Sequence, residues 1–255
     1  MNPTKRAILL IILLACQAFS QSSKPSGYAR EAVISESAGT VHVNANNPRP
    51  LAQVLDAIQR KYAWVIDYED PQYVSAGDLV EAPGDAHGQW PAGGSFTVEF
   101  PATAPDAEKT IRLIVDAYNK SKNPGRFEVR KGEQGSFYVI GTGAHDEKGG
   151  IASQTPVLDT PLTLPGEEHT VADTVRTICE QAGTQAHVNV ALAISPRSLI
   201  DKNLVKVGGN KITARDLLQQ SIQGTHHILY WRLLYDPTSK GYLLNLHAVR
   251  SAKES

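Results

Sequence analysis

One order of elements occurs twice along the chain, and it constrains the fold more than any other feature. Three segments share an apolar spacing of 0, 4, 7 and 11 residues, which is one face of a helix. They are Leu51, Leu55, Ile58 and Tyr62 in residues 50–62, then Ala107, Ile111, Ile114 and Tyr118, then Val171, Val175, Ile178 and Ala182 in residues 170–183. A fourth helix is predicted over 213–224, opened by Thr213 with Asp216 and stopped by Gly224. Thr170 with Asp173 gives the same kind of start, and polar residues around Pro105 open the second helix. After the first helix of each copy come two strands, AWVID (63–67) and FTVEF (96–100) in one, HVNV (187–190) and NLVKV (203–207) in the other. After the second helix comes a hairpin, RFEVR to SFYVI across KGEQG in the first copy and HILYWRLLY (227–235) to GYLLNLHAV (241–249) in the second. Leading strands are expected at 40–43 and 162–164.

The reading is an α+β chain of two tandem modules, each two helices packed on short mixed sheets in the order β-α-β-β-α-β-β. Residues 40–143 form the first and 157–250 the second, with a linker at 144–156 inside the glycine-rich stretch 141–156. Residues 21–39 and 251–255 are expected to be loose. Two helices alone cannot bury the Phe/Val and Leu/Trp strand faces, whereas a small sheet under both can. The last two strands are apolar on both faces in places, so a neighbouring module or partner should cover the face the helices leave. An apolar content of 41% in 255 residues is enough for two cores of about 100 residues each. Only Cys16 and Cys179 occur, so the cores and not a disulfide framework must stabilise the chain.

Lys5 and Arg6 followed by the apolar run 7–15 have the form of a secretory signal over residues 1–20. Nine helical residues reach roughly 14 Å, short of the about 30 Å of a bilayer core, so the run does not span it. Cleavage before Gln21, after Ala18-Phe19-Ser20, would give a soluble periplasmic chain. The alternative is a lipoprotein anchored through Cys16, since Leu13-Leu14-Ala15-Cys16 is similar to a lipobox. Basic and acidic residues number 25 and 26, and without Lys5 and Arg6 the balance is about minus 3, which gives no field for nucleic acid or an anionic membrane.

The helix LAQVLDAI (51–58) and the phrase VKVGGNKITARDLLQQSIQGTHHILYWRL (205–233) resemble the short N-terminal modules of bacterial secretins and TonB-dependent receptors. Thr213, Leu217, Leu218, Ile222, Gly224, Thr225, Tyr230 and Trp231 carry the second match. The first copy departs from it, because NKSKNPGRFEV (119–129) replaces the compact link and an insert runs from 71 to 95. The resemblance implies a protein-docking or ring-stacking role in the envelope and no catalysis. Nothing after residue 249 supplies a barrel, so a pore function does not carry over.

No enzymatic motif stands out. The histidines at 42, 87, 145, 169, 187, 226, 227 and 247 form no compact ligand set, so no metal or cofactor is expected. Asp67, Glu69 and Asp70 could serve a hydrolase as paired carboxylates, but they also read as a solvated turn before Pro71. A hydrolase would need Asp67, Asp70 and His87 or His145 to converge in one pocket. Cys179 reads as a packed thiol at the edge of a helix face, and Ser195 lies outside any nucleophile elbow. Trp90, in a Gly/Pro-rich loop, is the first interaction candidate. With Tyr68 and Tyr73 it would line a groove if the chain bound glycan or peptidoglycan. The sheet edges near 96–100 and 203–207 offer strand addition by another envelope protein or a second copy.

Overall fold

The computed structural model describes residues 31–46, 48–82 and 88–249. The signal reading, the Cys16 lipobox, the cleavage before Gln21, His87 and the tail 251–255 lie outside them. The first half contains β1 (Val33–Ser37), β2 (Thr40–Ala45), α1 (Pro50–Tyr62), β3 (Ile66–Glu69), β4 (Leu79–Glu81), β5 (Gln89–Pro91), β6 (Phe96–Pro101), α2 (Ala107–Lys120), β7 (Arg126–Lys131) and β8 (Phe137–His145). After β9 (Ile151–Ser153), the second half contains β10 (Pro161–Leu164), β11 (Glu168–Thr170), α3 (Val171–Ala186), β12 (Asn189–Ile194), α4 (Arg197–Ile200), β13 (Leu204–Lys206), β14 (Gly209–Thr213), α5 (Ala214–Gln223), β15 (Leu229–Asp236) and β16 (Gly241–Ala248).

The helices form where periodicity and caps place them. Thr170 Oγ1 accepts from the amide of Asp173 at 3.1 Å, and Thr213 Oγ1 accepts from that of Asp216 at 3.1 Å. In each pair the hydroxyl also donates to the aspartate Oδ2 at 2.7 Å, so the cap is locked from both sides. At α2 the cap is Asp106, whose Oδ1 accepts from Lys109 N. The α1 stripe buries Leu51, Val54, Leu55 and Ile58 completely, each such side chain contributing about 1.5–3 kcal/mol of transfer free energy.

The expectation of two tandem modules with small sheets of their own is overturned. One seven-stranded sheet runs through both halves in the order β12-β16-β15-β3-β8-β7, with β9 also paired to β8. Its seam is the parallel pairing of β15 with β3, where Arg232 stands opposite Tyr68 and Leu233 opposite Glu69. Among the described residues four small sheets accompany it, β1-β2-β6, β10-β14, β11-β13 and β4-β5, and α4 is a fifth helix. The stretch 141–156 does not simply link the halves, because β8 continues to His145 and β9 returns beside it. The insert 71–95 folds into the hairpin β4-β5.

Alternation along β8 assigns the two cores. Phe137 and Val139 join a core with α1, α2, β2 and β6, whereas Tyr138 and Ile140 join one with α3, α5 and Trp231. Successive strand residues point to opposite faces, so the two cores lie on opposite faces of one sheet. Such a sheet needs apolar residues on both sides of its middle strands, and β15 and β8 supply them. The face of β15 turned away from α3 and α5 is closed in part by α1, where Arg232 reaches Asp56. At Gly183 a Cβ would stand 2.6 Å from Val188 O, so α3 can press on the start of β12 only through a glycine.

Candidate functional site

The acidic run IDYED is buried, and no solvated turn forms there. Asp67 and Glu69 are fully buried and Asp70 is 1% exposed. Their oxygens hold β15 and its surroundings in place. Asp67 Oδ1 accepts from Trp231 N at 2.7 Å, and Asp70 Oδ2 accepts from Tyr235 N at 3.0 Å and Arg49 Nε at 2.6 Å. Glu69 Oε2 accepts from Arg215 Nη2 at 2.7 Å, and its other oxygen accepts from Leu158 N. Arg49 and Arg232 also donate across the seam to the carbonyls of Tyr235 and Ile66. A seam with only two register pairs is therefore extended by side chains that stand in for backbone partners.

Burial, the dominant cause, pushes the Asp67 carboxyl up to about 7 against the opposing pull of Trp231 N, Arg232 and Arg215. Glu69 is also raised by burial, which its Arg215 partner only partly offsets. These shifts belong to a packed junction: Asp67 and Asp70 spend bonds on β15, while His145 pairs with Asp78 elsewhere, so the convergence a hydrolase requires is not formed among the described residues.

Tyr68 and Tyr73 are 1% and 3% exposed, so neither lines an exposed groove. Tyr68 stacks on Phe127 and donates to Asp70 Oδ1, and Tyr73 lies beside Tyr235. Trp90 is half-buried on β5 opposite Val80, and the same hairpin leans on the β15–β16 turn through Gln89 N and Thr238 Oγ1. Cys179 is buried among the α3 and α5 side chains, and burial pushes its thiol up to about 12. Among the described residues no cluster of three metal-ligating side chains occurs.

A cleft of about 530 Å³ opens beside the β4-β5 hairpin, lined by Ser75, Asp78, Lys122, Asn123 and His145 among others. The buried Asp78 accepts from both the backbone N–H of His145 at 3.1 Å and its ring Nδ1 at 2.7 Å. A carboxylate oxygen can only accept from Nδ1, so the ring carries its proton there in this contact. The pair also ties the hairpin to β8, and no periodicity in the sequence links residues 78 and 145.

The two edges of the large sheet differ. At β7 side chains from α2 cap the backbone: Asn119 bonds both the N–H and the C=O of Phe127, and Arg112 donates to Val129 O. β7 also carries Arg126, Glu128, Arg130 and Lys131, the charges that discourage strand addition. At the other edge β12 reads NVALAI and has neither charge nor proline. Gly183 presses on its start, but Ala191–Ile194 lie along a side that pairs with no other strand among the described residues. Ile194 is 60% exposed, and Leu243 on the adjacent β16 is 38% exposed. The expected edges at 96–100 and 203–207 are β6 and β13, each the last strand of its small sheet.

Among the described residues no helix is long and apolar enough to cross a membrane. No family model, no curated protein and no solved structure matches this chain.

Proposed function

We propose that this chain is a non-enzymatic docking protein of the bacterial envelope, exported to the periplasm and released before Gln21, and that its segments 51–58 and 205–233 are similar to those of the short N-terminal regions of secretins and TonB-dependent receptors. Its docking element is the open edge of β12, and its partner is a second copy of the chain. The observation that carries the reading is the contrast between the two edges: β7 is charged and capped, whereas β12 is uncharged and, among the described residues, uncapped. Antiparallel pairing of β12 with its symmetry mate sets NVALAI against itself without like charges and covers Ile194. Because β7 is closed, head-to-tail growth is blocked and assembly stops at a dimer.

Sedimentation equilibrium on the exported form tests this. The wild-type chain is expected to dimerise with rising concentration, and Ile194→Lys, which puts an ammonium on the exposed end of the edge, to stay monomeric with an unchanged circular dichroism spectrum. A wild-type chain that stays monomeric at every concentration sinks the self-pairing. Crosslinked recovery of one different envelope protein from intact envelopes, lost in Ile194→Lys, would then keep the edge and change the partner.

A further inference from the structure

Three carboxylates from one short segment hold the seam between β3 and β15, and they are not equivalent. Glu69 and Asp70 each have an arginine partner, and both oxygens of each accept hydrogen bonds. Asp67 has no arginine bonded to it. Its Oδ1 takes the Trp231 amide, while its fully buried Oδ2 accepts nothing from the described residues. An ionised carboxylate with a bare oxygen is costly in such a place, whereas a protonated one carries a donor there.

The surroundings leave that oxygen uncompensated. Tyr138 of β8 is the register partner of Asp67, and the Arg215 guanidinium of α5 lies 5.4 Å from the Tyr138 ring and 5.5 Å from the Trp231 ring. Arg215 is already bound to Glu69 and Asp159, and Arg232 of β15 is turned to Asp56 and the Ile66 carbonyl. Both cations thus act on Asp67 from a distance, and the hydrogen bonds they make go to other groups. Arg215 Nη1, Gln219 Oε1 one helical turn further along α5, and Trp231 Nε1 are also buried without partners among the described residues.

We propose that the β3–β15 seam is a proton-controlled latch, closed while Asp67 is protonated and weakened when its carboxylate ionises. Burial, the main cause, places the change near neutral pH, with the folded carboxyl at about 7 against an ordinary 3.8. The sign follows from linkage: a carboxyl raised in the folded state contributes stability that is complete below about 4, and loses it as pH rises through about 7. The two halves are then held least firmly above neutrality.

Thermal unfolding and amide exchange of the full chain between pH 5 and 9 test the latch. The wild type is expected to lose roughly 5–15 °C of melting temperature as pH rises across this range. Protection of the Trp231 amide, corrected for intrinsic exchange, should fall in parallel. Asp67→Asn keeps an oxygen for the Trp231 amide and cannot ionise, so its melting temperature should gain most over wild type at pH 8 to 9, with the neutral-pH slope removed. His247, lowered by burial, titrates with the opposite sign, and its contribution is common to both proteins. A wild-type profile that is flat from pH 5 to 9, or an Asp67→Asn variant that keeps the wild-type slope, overturns the proposal.

Discussion

Replacing Arg215 by methionine removes a cation that ties α5 of the second half to Glu69 of β3 in the first. The guanidinium side chain is 4% exposed and binds Glu69 Oε2 at 2.7 Å and Asp159 Oδ1 at 2.9 Å. Its loss leaves Glu69 fully buried with a single donor, the Leu158 amide. Removing one partner of a buried pair costs about 3–5 kcal/mol, because the remaining charge stays desolvated. The lost stacking on Tyr138 and Trp231 falls within that figure, since methionine keeps the apolar packing of the stem. For a chain of this size the melting temperature should drop by roughly 6–20 °C. Glu69, already raised by burial, loses the arginine that opposed it, so the variant should weaken further as pH rises. Urea unfolding followed by circular dichroism reads the free energy directly. The double variant Arg215→Met with Glu69→Gln removes the stranded charge and should recover a large part of the loss. A single variant that costs less than about 1 kcal/mol, or a double variant no better than the single, would refute the claim that this pair holds the junction.

Two further outcomes follow from the same geometry. Asn119→Ala strips Phe127 of the partners of its N–H and C=O, so it should cost about 1–3 kcal/mol in denaturant unfolding. It also opens the second edge, so assemblies larger than a dimer should appear in sedimentation at high concentration. Cys179, buried and pushed up to about 12, should resist iodoacetamide at pH 8 in the native protein and react at once in denaturant.

What could be read before the fold was known was local. The stripe Leu51, Leu55, Ile58 and Tyr62 set α1 within its observed limits, and the Thr170–Asp173 and Thr213–Asp216 starts recur as hydrogen-bonded caps. Both effects act within one or two helical turns, where sequence spacing and spatial neighbourhood coincide. The long hairpin β15–β16 was also legible, including its two-sided apolar character, which α1 and the central position of the strands account for.

The seam was not legible, for a physical reason. Asp67 and Glu69 look like solvated residues because their partners, Trp231 and Arg215, stand 164 and 146 positions away. A buried carboxylate with a distant cation has the same local signature as an exposed one. The boundary between two modules was lost with it, because a sheet that crosses a boundary leaves no periodicity at the crossing. Trp90, Tyr68 and Tyr73 were chosen for aromatic character in a polar stretch, but two of them serve the core. The Asp78–His145 pair depends on a hairpin docking beside β8, which neither residue announces. The open edge of β12 had a weak signal, an uncharged run after a helix, and it becomes informative only beside the capped edge at β7.

Pairing of β12 with its symmetry mate is the central step of the proposed docking. Single cysteines placed by Ala191→Cys, Leu192→Cys, Ala193→Cys and Ile194→Cys, oxidised in otherwise native protein, test it by position. Antiparallel strands related by a two-fold axis bring only the positions nearest the axis within disulfide reach, about 4.4–6.8 Å between Cα atoms. The account predicts covalent dimers that peak at one or two neighbouring positions and fall away on either side. Equal, trace crosslinking at all four positions would contradict it.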